Sequence, residues 1–299
     1  MRPMVVARKD YRDAIQSRSL WGLTMVLVIF TAGLAYALNE IQLLSLFWPF
    51  FLAFFGPAGA EGLRTIEFIH FFLGPAEILI PLLALVVTYR SIAGEIESGT
   101  AKFLLSMPLT RWDALVGKLF GRTAVISTAI VAALTLAGLL VAVLTGRIDF
   151  PSYLFMIFVT VLFGAAYASI GVNLSALASS QSRAVLYAVG AYVFMRVIMT
   201  FARNVVHFFL EGTLFPPQVG TSGPPDAPGW FYLIDRLTPG GAYKGIVTGT
   251  LGGEPSFAPA FPDGIPFYLD PGPAVLILVF WILVPVAVGY YRFDSADIG

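Results

Sequence analysis

The chain has 299 residues, 58% of them hydrophobic and 12% charged, with zero formal net charge and a mean hydropathy of +0.82. Soluble domains carry about 25% charged residues, so this composition is that of a polytopic membrane protein, to be read at about 20 apolar residues per span. The charge balance leaves no global basic field for nucleic acid, and the lack of cysteine excludes disulfides, thiolate catalysis and cysteine-held metal while leaving the redox compartment open.

Residues 1–19 carry Arg2, Arg8, Lys9, Arg12 and Arg18, whereas Val5, Val6, Tyr11, Ala14 and Ile15 can share one helical side. The pattern predicts an interfacial helix with its charges opposite the apolar side, or simply a basic anchor. No small-residue cleavage site follows the first apolar run, so no cleavable signal is expected. That first span covers about 20–38, closed by Asn39 and Glu40. Residues 41–55 are apolar again, with five phenylalanines and Trp48, but Pro49, Gly56 and Pro57 interrupt them. About 15 residues is short for a crossing, which makes this a re-entrant or interfacial segment. The second span covers about 70–90, with a kink expected at Gly74-Pro75.

A polar stretch, 93–121, then separates two strongly apolar runs. It holds Glu95 and Glu97, a break at Gly99-Thr100, a short apolar turn at Phe103, Leu104 and Leu105, and a stop at Pro108. Thr110 and Asp113 have capping-box spacing. Gly99 and Pro108 should therefore divide the stretch into three short helices lying at the membrane surface.

The ordered set Glu95-x-Glu97-x-Gly99-Thr100, Leu104-Leu105, Pro108, Arg111 and Gly117-Lys118 spans 24 residues. It resembles the coupling region of the membrane subunit of type-2 ABC exporters, the permeases that work with a separate ATPase. The resemblance implies that these residues dock into a groove on an ABC ATPase subunit. It also implies that ATP and Mg are bound by that partner, that a second permease copy or paralogue completes the path, and that the N-terminal segment is an elbow helix on the inner surface.

Four more spans follow at about 119–145, 153–178, 184–207 and 273–291. Twelve lysines and arginines fall on the side of the N-terminal tail and the polar stretch, against five on the other, which puts both termini and residues 91–118 in the cytosol of a cell-membrane protein. Residues 211–270, dense in proline and glycine, form a long external segment in which extended, irregular structure is expected, with 230–246 more ordered. Within it, Pro239-Gly240-Gly241-Ala242-Tyr243 resembles a P-x-x-A-Y element that precedes the last span in this permease class. The expected fold is thus an all-α integral membrane protein with six transmembrane helices in a single permease domain over 1–299.

Catalytic constellations are missing from the sequence. Gly117-Lys118 lacks the upstream glycine and following hydroxyl of a P-loop, and neither H-E-x-x-H nor G-x-S-x-G occurs. No catalytic or metal site is expected; His70 and His207 fall near the predicted outer interface, facing headgroups or water. Arg196 is the telling residue. It lies about 18 Å into the fifth span at 1.5 Å per residue, and a centred arginine costs on the order of 2.5–3.5 kcal/mol, so it needs a cavity or an acid. Glu77 is the available intramembrane acid, and Arg203, seven residues on, is expected on the same helix face. Arg196, Arg203 and Glu77 would line a polar path or gate, or else form an ion pair fixing two helices. Asn173, among small residues of the fourth span, reads as a packing position or a path residue. An ion-gradient transporter would want more mid-membrane charge than this, and an anchor without transport is the other alternative. The sequence does not identify a cargo.

Overall fold

A computed structural model describes residues 2–39, 65–99, 110–219, 224–251 and 257–295. Among these the chain is helical, the sole β feature being an isolated bridge between Gln218 and Pro225. The helices are α1 (Arg2–Ile15), α2 (Arg18–Asn39), α3 (Thr65–Thr88), the short α4 (Ala93–Glu97), α5 (Arg111–Thr145), α6 (Phe150–Leu177), α7 (Gln181–Val193), α8 (Met199–Glu211), α9 (Gly229–Arg236), α10 (Pro239–Leu251) and α11 (Pro271–Ser295). A π-helical turn, Phe194–Ile198, joins α7 to α8, so the two form one span. Among the described residues six helices are long and apolar enough to cross a membrane, as the apolar runs require: in hydrocarbon a helix satisfies every backbone group within itself.

The bundle is built around α6, which packs against α3, α5, α7, α10 and α11. Its small residues permit this. A Cβ on Gly164 would lie 2.9 Å from Ile130 Cδ1, and one on Gly171 only 1.9 Å from Thr88 Oγ1. Close backbone approach of this kind replaces the hydrophobic drive that lipid cannot supply. Burial follows from it: 67% of the fourth span is buried, against 11% of the fifth.

Several local expectations meet their reasons here. Gly99 adopts φ 72° and ends the turn after α4, a backbone region glycine enters without steric cost. The Thr110–Asp113 capping box forms in both directions. The last of the three helices expected in the polar stretch is, however, not short. The box at Thr110 starts a helix with no later breaker, and α5 runs unbroken for 35 residues. At about 52 Å it exceeds a ~30 Å hydrocarbon core. Pro75 and Pro81 lie within α3 without ending it. Residues 41–55 and Thr100, Leu104, Leu105 and Pro108 lie outside the described residues.

α1 is turned differently from its sequence pattern. It lies along α5, burying Val6, Ala7, Asp10 and Ala14 and leaving Val5 exposed. At the opposite end of the bundle, residues 211–270 are more helical than their proline content suggests. α9, α10 and two 3₁₀ turns form a cap. Tyr243 of α10 is fully buried, stacked on Phe163 at 4.5 Å with its hydroxyl 3.0 Å from Thr160 of α6, which seats the cap in the bundle.

Candidate functional site

The first constellation surrounds α4. Its five residues are tied to three other helices. Ser175 Oγ of α6 accepts from the Ile92 and Ala93 amides, both at 3.0 Å. Glu95 Oε1 accepts from Lys118 Nζ of α5 at 2.7 Å, and Glu97 Oε2 accepts from the Gln181 amide opening α7 at 2.8 Å. Residues two apart on a helix point to different sides, so the E-x-E spacing sends one carboxylate to each neighbour.

Lys118 continues the network. Its buried ammonium is 3.6 Å from Asp10 Oδ1 of α1, and Asp10 in turn takes Arg122 Nε at 2.8 Å and Nη2 at 3.1 Å. Arg122 also donates to the Val87 carbonyl at the end of α3. Gly117, the other half of the G-K pair, makes room for α1: a Cβ there would meet Val6 Cβ at 2.6 Å and the Pro3 carbonyl at 2.7 Å. Gly121 does the same a turn later, against the Ala7 carbonyl at 2.9 Å. Asp10, Arg122 and Ser175 were not among the sequence candidates. The four-residue spacing of Gly117 and Gly121 is the signal that would have placed α1. Arg111 opens α5.

The second constellation lies in the bundle toward the cap. Glu77 of α3, buried, is 3.0 Å from Arg196 Nη1 on the π turn and 3.1 Å from Lys244 Nζ on α10. The structure thus brings Arg196 and Glu77 together and adds Lys244. Arg203 does not join them. It pairs with Asp235 of α9 at 3.5 Å and lies 4.1 Å over the Phe231 ring. Arg196 stands within the π turn, which holds about one residue more than an α turn and so rotates Arg203 from the position that seven-residue α-helical spacing gives it. Asn173 also stands apart: Nδ2 donates to the Ser169 carbonyl at 2.6 Å, and the side chain packs on Gly289 of α11, where a Cβ would lie 1.6 Å from Oδ1.

His70 is exposed, but His207 does not face water. It is buried under the cap, 2.7 Å through Nδ1 from the Thr213 carbonyl and edge-on to Phe231. In the cap, burial pushes the Tyr232 hydroxyl up to about 12, with Asp226 adding to the effect, so it stays protonated and donates to the Pro225 carbonyl. Burial draws the Arg236 guanidinium below its ordinary value, against the pull of Asp235 and Asp270. Among the described residues no group of three or more His, Asp or Glu side chains could hold a metal.

The profile of a family described as ABC-2 family transporter protein matches residues 4–298. The chain belongs to the ABC-2 transporter family. Two curated relatives agree with the placement. One is a probable ABC transporter permease protein NosY of Pseudomonas aeruginosa, 26% identical over 219 residues, covering 71% of this chain and 73% of that protein. The other is a protein of the same description from Stutzerimonas stutzeri, 26% identical over 220 residues, covering 71% and 72%. In this ABC-2 permease, the six spans are held together mainly by α6, and the polar stretch of the sequence is bound into the bundle through α4 and the start of α5.

Proposed function

We propose that this ABC-2 permease is the membrane-spanning subunit of an ATP-driven exporter and takes its energy from a separate ABC ATPase. The observation that carries this reading is the anchoring of α4. A force applied there reaches α5 through Glu95–Lys118, α6 through Ser175, α7 through Glu97, and α1 through Lys118–Asp10. In this reading residues 91–118 face the cytosol of a cell-membrane protein and meet the ATPase, which binds ATP and Mg. Glu95, Glu97, Gly99, Thr100, Leu104, Leu105, Pro108, Arg111, Gly117 and Lys118 form or support the contact. A second permease copy or paralogue completes the path, and the Arg196–Glu77–Lys244 cluster gates it toward the cap.

The test is co-expression of the tagged permease with a P-loop ATPase from its gene neighbourhood. The pair should co-purify, and Gly99→Pro, which disturbs the turn while leaving the spans unchanged, should abolish co-purification. If the permease alone moves cargo in vesicles with no ATPase present, or if Lys102 is labelled from the outer side of intact cells, the proposal fails.

A further inference from the structure

The cap encloses an open cavity of about 560 Å³ between Arg203 of α8, α9, α10 and the turn at Phe257, a size in the ~300–1,000 Å³ range of small-molecule sites. Arg203, Arg236 and Lys244 all line it, against one acid, Asp235. Asp235 already pairs with Arg203, and Lys244 shares Glu77 with Arg196. Among the described residues two carboxylates therefore pair with three cations, and Arg236 is left without an ion pair.

Arg236 is the unusual member. It is buried, yet it is held by the Gly241 and Leu269 carbonyls at 3.3 and 2.9 Å and lies 5.5 Å from the centre of the Phe257 ring, with no carboxylate in these contacts. The backbone makes room for it: a Cβ on Gly245 would fall 0.9 Å from its Nη1. Asp226 and Asp270 are near enough to act on Tyr232 and Arg236 electrostatically, but neither lines the cavity. A buried cation whose hydrogen bonds go only to carbonyls, with carboxylates near but not in contact, is costly and favours an anion beside it. Aromatic faces complete the wall, with Tyr232 and Phe257 5.5 Å apart and tilted by 41°.

We propose that this cavity binds an organic anion, a carboxylate or phosphate ester bearing an apolar or planar body. The charge sits among Arg203, Arg236 and Lys244 and the body lies against Tyr232 and Phe257. Binding requires no ATPase, so its test is separate from that of the function proposed above.

The test uses the full-length chain in phosphatidylcholine nanodiscs, titrated calorimetrically with phenyl phosphate and, as the opposite charge, benzylammonium. Phenyl phosphate should bind saturably and benzylammonium should not. Arg203→Gln and Lys244→Gln should each weaken binding about 10-fold, the scale of one charge-assisted hydrogen bond. The charge-keeping pair Arg203→Lys with Lys244→Arg should retain most of it, which separates lost charge from lost fold. Replacing a fraction of the phosphatidylcholine with phosphatidylglycerol identifies the source. Competition with phenyl phosphate assigns the site to a lipid headgroup, and unchanged affinity assigns it to a water-soluble anion. The proposal is overturned if the wild-type chain gives no saturable heat, if the Arg203→Gln/Lys244→Gln chain binds as tightly at an unchanged melting temperature, or if benzylammonium binds better.

Discussion

Asp10 and Lys118 are neighbours in one buried network, yet their removal should differ in cost. Asp10→Asn takes away the acid that Arg122 holds at 2.8 and 3.1 Å and that lies 3.6 Å from Lys118. A partly buried guanidinium is left without a counter-charge, held only by neutral acceptors such as the Val87 carbonyl. Breaking a buried pair this way costs about 3–5 kcal/mol, on the order of a 10 °C fall in melting temperature at about 2–4 °C per kcal/mol. Lys118→Met removes the shortest ion pair of the network, 2.7 Å to Glu95, but leaves no buried charge stranded. Asp10 keeps Arg122, the methionine keeps the apolar stem, and Glu95, whose side chain is 28% exposed, turns to water. The loss of one charged hydrogen bond is largely offset by no longer desolvating an ammonium, for a net cost of about 1 kcal/mol. Thermal unfolding of both variants in one detergent gives the comparison. A Lys118→Met cost equal to or above that of Asp10→Asn would refute the assignment of Asp10 as the hub.

Other substitutions probe other joints. Gly245→Ala should expel the Arg236 guanidinium, whose Nη1 would lie 0.9 Å from the new Cβ, and loosen the cap by about 3 kcal/mol; limited proteolysis should then cut within 224–251 well before the spans. Gly171→Ala forces α3 and α6 apart at Thr88 Oγ1, 1.9 Å from the new Cβ. Thr88→Ala should rescue it only incompletely, because Thr88 Cβ itself lies at 2.9 Å, as the yield of monodisperse protein will show. Exchanging Arg196 and Glu77 should fail to restore a monodisperse peak, since the new arginine at 77 meets Lys244, 3.1 Å from the present carboxylate. Adding Lys244→Gln to the exchange should restore it.

The spans, the capping box at Thr110 and the break at Gly99 were legible because each follows from local chemistry: apolar run length, a hydroxyl three residues before an acid, and a residue free to take positive φ. The meeting of Arg196 and Glu77 was legible for a different reason: an intramembrane arginine needs an acid, and the sequence offers few. Asp10 was hidden. On α1 alone it reads as one more solvated charge, and only the packing of Gly117 and Gly121 against that helix carries it to Lys118 and Arg122. Arg203 was misplaced because Arg196 sits in a π turn, which no residue type announces and which shifts the helical register between the two. The cap helices were obscured by the prolines around them, although α9 itself contains none and α10 begins with its only one, at a position where a missing amide costs nothing.

The fifth span is attached by chemistry unlike that of its neighbours. Apolar interlocking secures the fourth, whereas the fifth depends heavily on ionic clasps, with Arg196 half in contact with its surroundings. Ionic strength and headgroup charge therefore act on its seating while hardly touching the interior of the bundle. A zwitterionic, low-salt preparation is therefore the gentler choice for keeping that one helix in its place.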